Sequence, residues 1–110
     1  MKLEILNLAK EIYDSATRLE KGSTEIFLLA KEQAEKERDY RKLLAHEIIR
    51  LKEEKTQTTL IPDIARGNLA DAKFERDLAE EKRKAGNASL EAIQVRISAL
   101  QTILKYQNEL

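Results

Sequence analysis

The single proline of this chain, Pro62, separates two long stretches in which apolar residues recur with helical spacing. Proline interrupts helices, and the threonine-rich segment before it breaks the apolar pattern, so we expect a corner at residues 55–67. Alanine, glutamate, lysine, leucine and arginine dominate both flanking stretches, as is typical of long or coiled helices. The sequence therefore predicts an all-α fold in one domain, an elongated helical hairpin whose long helices span about 3–54 and 68–108 with coiled-coil-like packing.

The first long stretch carries two rows of residues that repeat every seven positions in one unbroken phase. One row is Ile5, Ile12, Leu19, Ile26, Gln33, Tyr40 and Glu47, and the other is Ala9, Ala16, Ser23, Ala30, Glu37, Leu44 and Leu51. Gly22 and the two residues after it resemble a helix stop followed by a new N-cap, but the phase continues across them. We expect one helix, straight or bent at Gly22, with a true break there as the alternative.

Three polar residues, Gln33, Glu37 and Glu47, interrupt these rows. Polar residues at such positions can fix the register of a coiled coil. The interpretation we favour is that the buried face rotates locally toward apolar neighbours, which are Phe27, Ala34, Leu43 and Ile48.

The corner is explicable by turn chemistry alone. Thr59 is placed to N-cap a short helical turn, and Pro62 is tolerated in the first turn of such a helix. Gly67 suits a left-handed residue that ends this turn, and Asn68 can cap the helix that follows. The sequence therefore predicts a short helical turn inside the corner.

The second long stretch contains the clearest seam of the chain. Its members, spaced alternately by three and four residues, are Leu90, Ile93, Ile97, Leu100 and Leu104. The preceding residues 75–87 are more polar, and Gly86 with Asn87 marks a possible break or kink. Apolar residues off the main seams predict a second, exposed edge that would contact partner chains, namely Phe27, Leu28, Ile49 and Val95.

Composition argues against several classes of function. Twenty basic and twenty acidic residues leave no net charge, whereas a protein that grips nucleic acid by itself usually has a basic excess. The chain has no cysteine, one histidine (His46), no glycine-rich phosphate loop and no nucleophile motif, so we expect no enzyme activity, metal or cofactor. No apolar run is long enough for a signal peptide or a membrane span, which predicts a cytoplasmic protein without membrane contact.

One cluster has the composition of a nucleic-acid contact. Arg38, Arg41 and Lys42 surround Tyr40, and a basic run with an aromatic residue can hold phosphates and stack a base. Acidic residues alternate with these cations, and Tyr40 falls on the predicted seam. A core tyrosine among solvated charges is therefore the preferred interpretation, with weak binding of single-stranded DNA as the alternative.

Two segments resemble a family of small all-helical proteins encoded by tailed phages and prophages of Gram-positive bacteria. The segment 37–48 matches the pattern E-x-x-Y-R-x-x-L-A-x-E-I, and 76–80 matches R-D-x-A-E. The corner matches I-P-D-x-A-R-G through Ile61, Pro62, Asp63, Ala65, Arg66 and Gly67. A looser similarity links the chain to phage recombination mediators, which oligomerise, bind single-stranded DNA and help load a recombinase.

These resemblances imply a phage or prophage setting in a bacterial host cell, and they imply no mechanism. The first hypothesis is a helical adaptor that forms homo-oligomers and assists phage recombination or replication. The second is an inhibitor or host-takeover protein that binds one host protein, and the third is a phage assembly helper. The sequence does not identify the protein partner.

Overall fold

The computed structural model describes residues 2–109, and every regular element in that range is helical. Helix α1 spans Lys2–Glu53, α2 spans Ile61–Asn68 and α3 spans Ala70–Glu109, with a short 3-10 turn at Thr58–Leu60. The predicted all-α class is confirmed. Both α1 and α3 are continuous, α1 through Gly22 and α3 through Gly86, so neither glycine breaks its helix.

Helix α1 ends in a Schellman motif. The backbone N–H of Lys55 donates to the carbonyl of Lys52 at 3.0 Å, and that of Thr56 donates to the carbonyl of Leu51 at 3.1 Å. Lys55 has a φ of 62°, in the left-handed region where glycine is usually found. Because a side chain in this conformation costs about 1 kcal/mol, the end of α1 carries a small backbone strain.

Two capping predictions for the corner are wrong. No described glycine has a positive φ, and α2 runs through Gly67 instead of ending at it. Leu60, not Thr59, precedes α2, and no side chain caps the helix. The reason is that the 3-10 turn leads directly into α2, with the Leu60 N–H donating to the Gln57 carbonyl at 2.9 Å. Pro62 lies in the first turn of α2, as predicted.

Contacts divide the chain into two compact units. Unit 1 combines the residues up to Leu28 with those from Lys84 onward, and unit 2 consists of Leu29–Arg83. Each unit therefore contains part of α1 and part of α3, and unit 2 also contains the corner.

In unit 1, α1 packs with a different second row from the one predicted. The row that begins at Ile5 is half-buried, but Ala9, Ala16 and Ser23 are exposed, as is Ala30 farther along α1. Apart from Thr17, the buried or half-buried residues of α1 in unit 1 are instead Ile5, Leu8, Ile12, Ser15, Leu19, Gly22 and Ile26. The larger Leu8 removes more apolar area from water than the adjacent Ala9, which favours this choice.

Gly22 has a packing reason that the heptad pattern does not reveal. A Cβ placed on Gly22 would overlap Leu90 Cδ2 and lie 3.6 Å from Leu90 Cγ. Glycine therefore lets the Leu90 side chain approach the backbone of α1. Of the predicted seam in α3, Leu100 is buried and Leu90, Ile93, Ile97 and Leu104 are half-buried.

The apolar core of unit 2 lies where α2 meets the end of α1. Leu51, Ile61 and Ala65 are buried, and Leu44, Ile48 and Ile64 pack against them. The corner motif is thus split: Ile61 and Ala65 anchor α2, whereas Pro62, Asp63, Arg66 and Gly67 are exposed. Arg66 lies 3.9 Å from Asp63 within α2.

Candidate functional site

Tyr40, the aromatic residue of the predicted nucleic-acid cluster, faces the interior of unit 2. It is 6% exposed, and the Arg76 guanidinium carbon lies 4.4 Å from the centre of its ring. This cation–π contact occupies one face of the ring. Tyr40 therefore has no open face on which a base could stack, in agreement with the preferred interpretation of a core tyrosine.

The three cations of the cluster remain at the surface. Arg38 lies 3.0 Å from Asp39, Arg41 lies 2.8 Å from Glu37, and Lys42 is exposed. Arg38 and Asp39 are both exposed, and ion pairs between exposed side chains contribute little to stability, so a phosphate could replace Asp39 at small cost. The structure thus separates the cluster into an inward tyrosine and outward cations.

Arg76 connects the two helices of unit 2. Its Nε lies 3.6 Å from a Glu37 carboxylate oxygen, and its guanidinium lies 3.1 Å from Asp77. Lys73, whose ammonium is 2.8 Å from Asp77, and then Arg76 hold the pKa of that carboxyl below its usual range. Asp77 therefore stays ionised, and the Arg76 guanidinium over the Tyr40 ring has two acidic partners, Glu37 and Asp77.

Further polar contacts join the helices of unit 2. Lys82 reaches Glu32 at 3.4 Å, and Arg83 donates to the side-chain carbonyl of Gln33. The three polar residues that interrupt the predicted seam are half-buried, and two of them, Gln33 and Glu37, meet donors of α3. The predicted rotation of the buried face is wrong for Phe27, Ala34 and Leu43, which are exposed; Ile48 is half-buried.

Glu47 makes a polar contact between α1 and α2. Its carboxylate accepts hydrogen bonds from the Arg50 guanidinium and from the Asn68 amide, the latter at 2.9 Å. These two partners, Arg50 first, lower the pKa of Glu47. Asn68 was predicted to cap the following helix, but it is the last residue of α2 and its side-chain amide points to Glu47.

Unit 1 exposes two mainly apolar rows, each spaced alternately by three and four residues. We call the first the α1 stripe: Leu6, Ala9, Tyr13, Ala16, Glu20, Ser23 and Phe27. We call the second the α3 stripe: Ala85, Ala88, Ala92, Val95, Ala99, Thr102 and Tyr106. Every residue of both stripes is exposed, and so are all four residues of the predicted second edge. The predicted edge contained Phe27 and Val95 but missed the regular spacing, which is visible in the sequence as a second heptad phase.

The described residues offer little for other kinds of site. Between residues 2 and 109 the structure has no group of three or more histidines or carboxylates placed to hold a metal ion, and His46 is exposed. No helix in the same range contains a segment of sufficient length and hydropathy to cross a bilayer. The arrangement can bury apolar side chains of another helix, because spacing of this kind is what packs helices side by side.

Comparison with protein-family models, with curated proteins and with solved structures finds no match to this chain. The resemblance of the corner and of residues 37–48 to phage proteins therefore stays a prediction. The exposed stripes of unit 1 and the polar contacts of unit 2 are therefore the features that bear on function.

Proposed function

We propose that this chain is a non-enzymatic helical adaptor that works by binding other protein chains, including a second copy of itself. The observation that carries the proposal is the pair of exposed stripes, because soluble monomers rarely expose long contiguous apolar surfaces. The regular spacing of both stripes matches what another helix requires for side-by-side packing.

The proposed architecture is a helical hairpin of α1 and α3 with coiled-coil-like packing. In unit 1, Arg96 of α3 lies 3.6 Å from Glu11 of α1, and Leu90 lies against Gly22. In unit 2, Lys82 reaches Glu32 and Arg76 reaches Glu37. Within each unit, later residues of α1 meet earlier residues of α3, which supports antiparallel pairing.

The proposed setting is the cytoplasm of a bacterial host, where the adaptor assists phage recombination or replication. The covered ring of Tyr40 and the zero net charge favour a contribution through protein contacts over a direct grip on DNA. An inhibitor that binds one host protein would use the same stripes, and it differs from the adaptor in having no contact with DNA.

The first test is the mass of the native chain by light scattering over a range of concentrations. Self-association predicts a mass that rises from one copy to two or more as concentration increases. A strictly monomeric mass at tens of micromolar would contradict the self-association in this proposal.

The second test separates the adaptor from the inhibitor by the salt dependence of single-stranded DNA binding. We expect weak binding that involves Arg38, Arg41 and Lys42. Changing all three to glutamine should flatten the slope of log affinity against log salt by about 2, at roughly 0.7 per phosphate contact. No detectable binding at low salt, even by the oligomer, would favour the inhibitor.

A further inference from the structure

The α1 stripe alternates large and small side chains along one face. Leu6, Tyr13 and Phe27 are 64%, 72% and 68% exposed. Between them lie small residues, Ala9, Ala16 and Ser23. The Ser23 hydroxyl donates to the Leu19 carbonyl of its own helix at 3.0 Å, so covering this serine leaves no unpaired donor. A second helix could approach this face closely at every small residue.

We infer that the α1 stripe is the binding site for the α1 stripe of a second copy, packed antiparallel across a two-fold axis near Arg18. This inference rests on the proposed self-association and specifies where it occurs. In this register Tyr13 meets Ser23 of the second copy, Phe27 meets its Ala9, and Glu20 meets its Ala16. Each layer thus combines one large and one small side chain, which fills space without gaps.

The parallel arrangement of the same two stripes is much poorer. In register, Tyr13 would meet Tyr13 and Phe27 would meet Phe27, while the alternate layers would pair alanine with alanine and leave gaps. Glu20 would face Glu20 of the second copy, placing two like charges together. The antiparallel arrangement avoids both defects, so a second copy in this orientation is the occupant that the stripe fits.

The area of the stripe is sufficient for a specific dimer. A buried aromatic side chain contributes about 150–250 Å², so Tyr13 and Phe27 together offer roughly 200–350 Å² at their observed exposure. With Leu6 and the small residues, each copy would bury on the order of 500 Å², or about 1,000 Å² for the pair. That total is close to the lower limit for a specific interface, which predicts a dimer that dissociates on dilution.

The test compares two matched pairs of charge substitutions by sedimentation velocity. Tyr13→Glu with Phe27→Glu disrupts the α1 stripe. Val95→Glu with Tyr106→Glu changes the α3 stripe at residues of similar exposure, 68% and 64%. We expect the α1 variant to be monomeric and the α3 variant to dimerise like the native chain. Circular dichroism should show native helix content in both, because all four side chains are exposed.

A second variant tests the same surface by gain of affinity. Glu20 is the only charged member of the α1 stripe, and its carboxylate must be desolvated or displaced when the second copy binds. Glu20→Leu should therefore lower the Kd of the dimer by at least an order of magnitude. An unchanged or higher Kd would contradict burial of this position.

Orientation is tested by crosslinking, because the chain has no cysteine of its own. Lys10→Cys and Thr24→Cys place single exposed thiols next to the α1 stripe. In the antiparallel dimer, residue 10 of one copy lies beside residue 24 of the other. The two residues numbered 10 are then about 24 Å apart along the helix axis, and the two residues numbered 24 are about 18 Å apart. A short bis-maleimide should link the two variants when mixed and should link neither variant to itself.

The outcomes separate this inference from the proposed function. Dimers that survive Tyr13→Glu with Phe27→Glu, or crosslinks within a single variant, would overturn the antiparallel α1 interface and leave self-association standing. A native chain that stays monomeric at all concentrations would refute self-association itself, and this interface with it.

Discussion

In unit 1, α1 presents isoleucine and leucine to α3, whereas in unit 2 the half-buried positions of α1 include Gln33 and Glu37. The residues of α3 differ in the same way. Unit 1 uses Leu90 to Leu104, and unit 2 uses Arg76 and Arg83. The same two helices are therefore joined by apolar packing in one unit and largely by polar contacts in the other.

The difference teaches which property each kind of contact supplies. Apolar packing removes area from water and supplies most of the free energy, but neighbouring registers can bury similar amounts. Polar pairs across helices contribute less net free energy, yet each is satisfied in one register only. We therefore expect substitutions in unit 1 to lower the free energy of unfolding most. Substitutions in unit 2 should lower it less, by an amount that depends on which polar contact is removed.

The largest effect is expected from Leu100→Ala in unit 1. Leu100 is buried, so the substitution should lower the free energy of unfolding by about 3 kcal/mol, through lost burial and the cavity that remains. Ile103→Ala, at an exposed position of the same helix, should cost less than about 1 kcal/mol. The half-buried Ile97→Ala should lie between them in urea denaturation. Equal losses for all three would mean that the apolar seam is not where the unit is held together.

A smaller effect is expected from Arg76→Gln in unit 2. The substitution removes the cation over the Tyr40 ring and the contact with Glu37, for a cost of about 1–2 kcal/mol. Arg41→Gln is the matched control, because Arg41 contacts the same glutamate from an exposed position and should cost under about 0.5 kcal/mol. Thermal denaturation of both variants shows whether the loss of stability depends on where the arginine lies. Equal decreases in melting temperature would mean that only the loss of the charge matters.

Gly22 of unit 1 and Gly67 of unit 2 should respond differently to replacement by alanine. Gly67 in unit 2 has no atom within 4 Å of an added Cβ and no positive φ, so Gly67→Ala should stabilise by about 0.5 kcal/mol. Gly22→Ala in unit 1 forces Leu90 to move, which should cancel or reverse the same gain. In a chain that already carries Leu90→Ala, Gly22→Ala should raise the free energy of unfolding, because the side chain that the added methyl group would meet is gone. Stabilisation by Gly22→Ala in the native background would show that the contact with Leu90 is loose.

The smallest expected effect is the acid sensitivity of the Glu47 contact in unit 2. The pKa of Glu47 in the folded chain is lowered below 4.5, so its contribution to stability is present above about pH 4.5. That contribution is lost as pH falls through the lowered pKa, because the unfolded chain binds the proton first. Glu47→Gln should therefore be less stable than the native chain near neutral pH, and the difference in urea midpoint should shrink in acid. A difference that does not change with pH would contradict this account.

Part of the candidate site was accessible from sequence because it depends on local pattern. Tyr40 falls on the heptad row of Ile5, and this predicted an inward ring before any partner was known. Arg76 was not predicted as its partner, because a cation–π contact joins residues far apart in the chain and leaves no local signal. The exposed stripes were accessible only in part. Their spacing can be read from the sequence, but the exposure of their residues cannot.

The sequence by itself determined the all-α class, the two long helices and the place of Pro62, because helix formation depends on residues within a few turns of one another. Only the tertiary structure decided which of two adjacent rows on α1 packs against α3. The rows that contain Leu8 and Ala9 lie side by side on the helix, and both recur every seven residues. The choice depends on the shape of the opposite helix, where Leu90 requires the space that Gly22 leaves. The end of α1 was decided in the same way, because Lys55 takes the left-handed conformation predicted for Gly67 where the chain must turn toward α2.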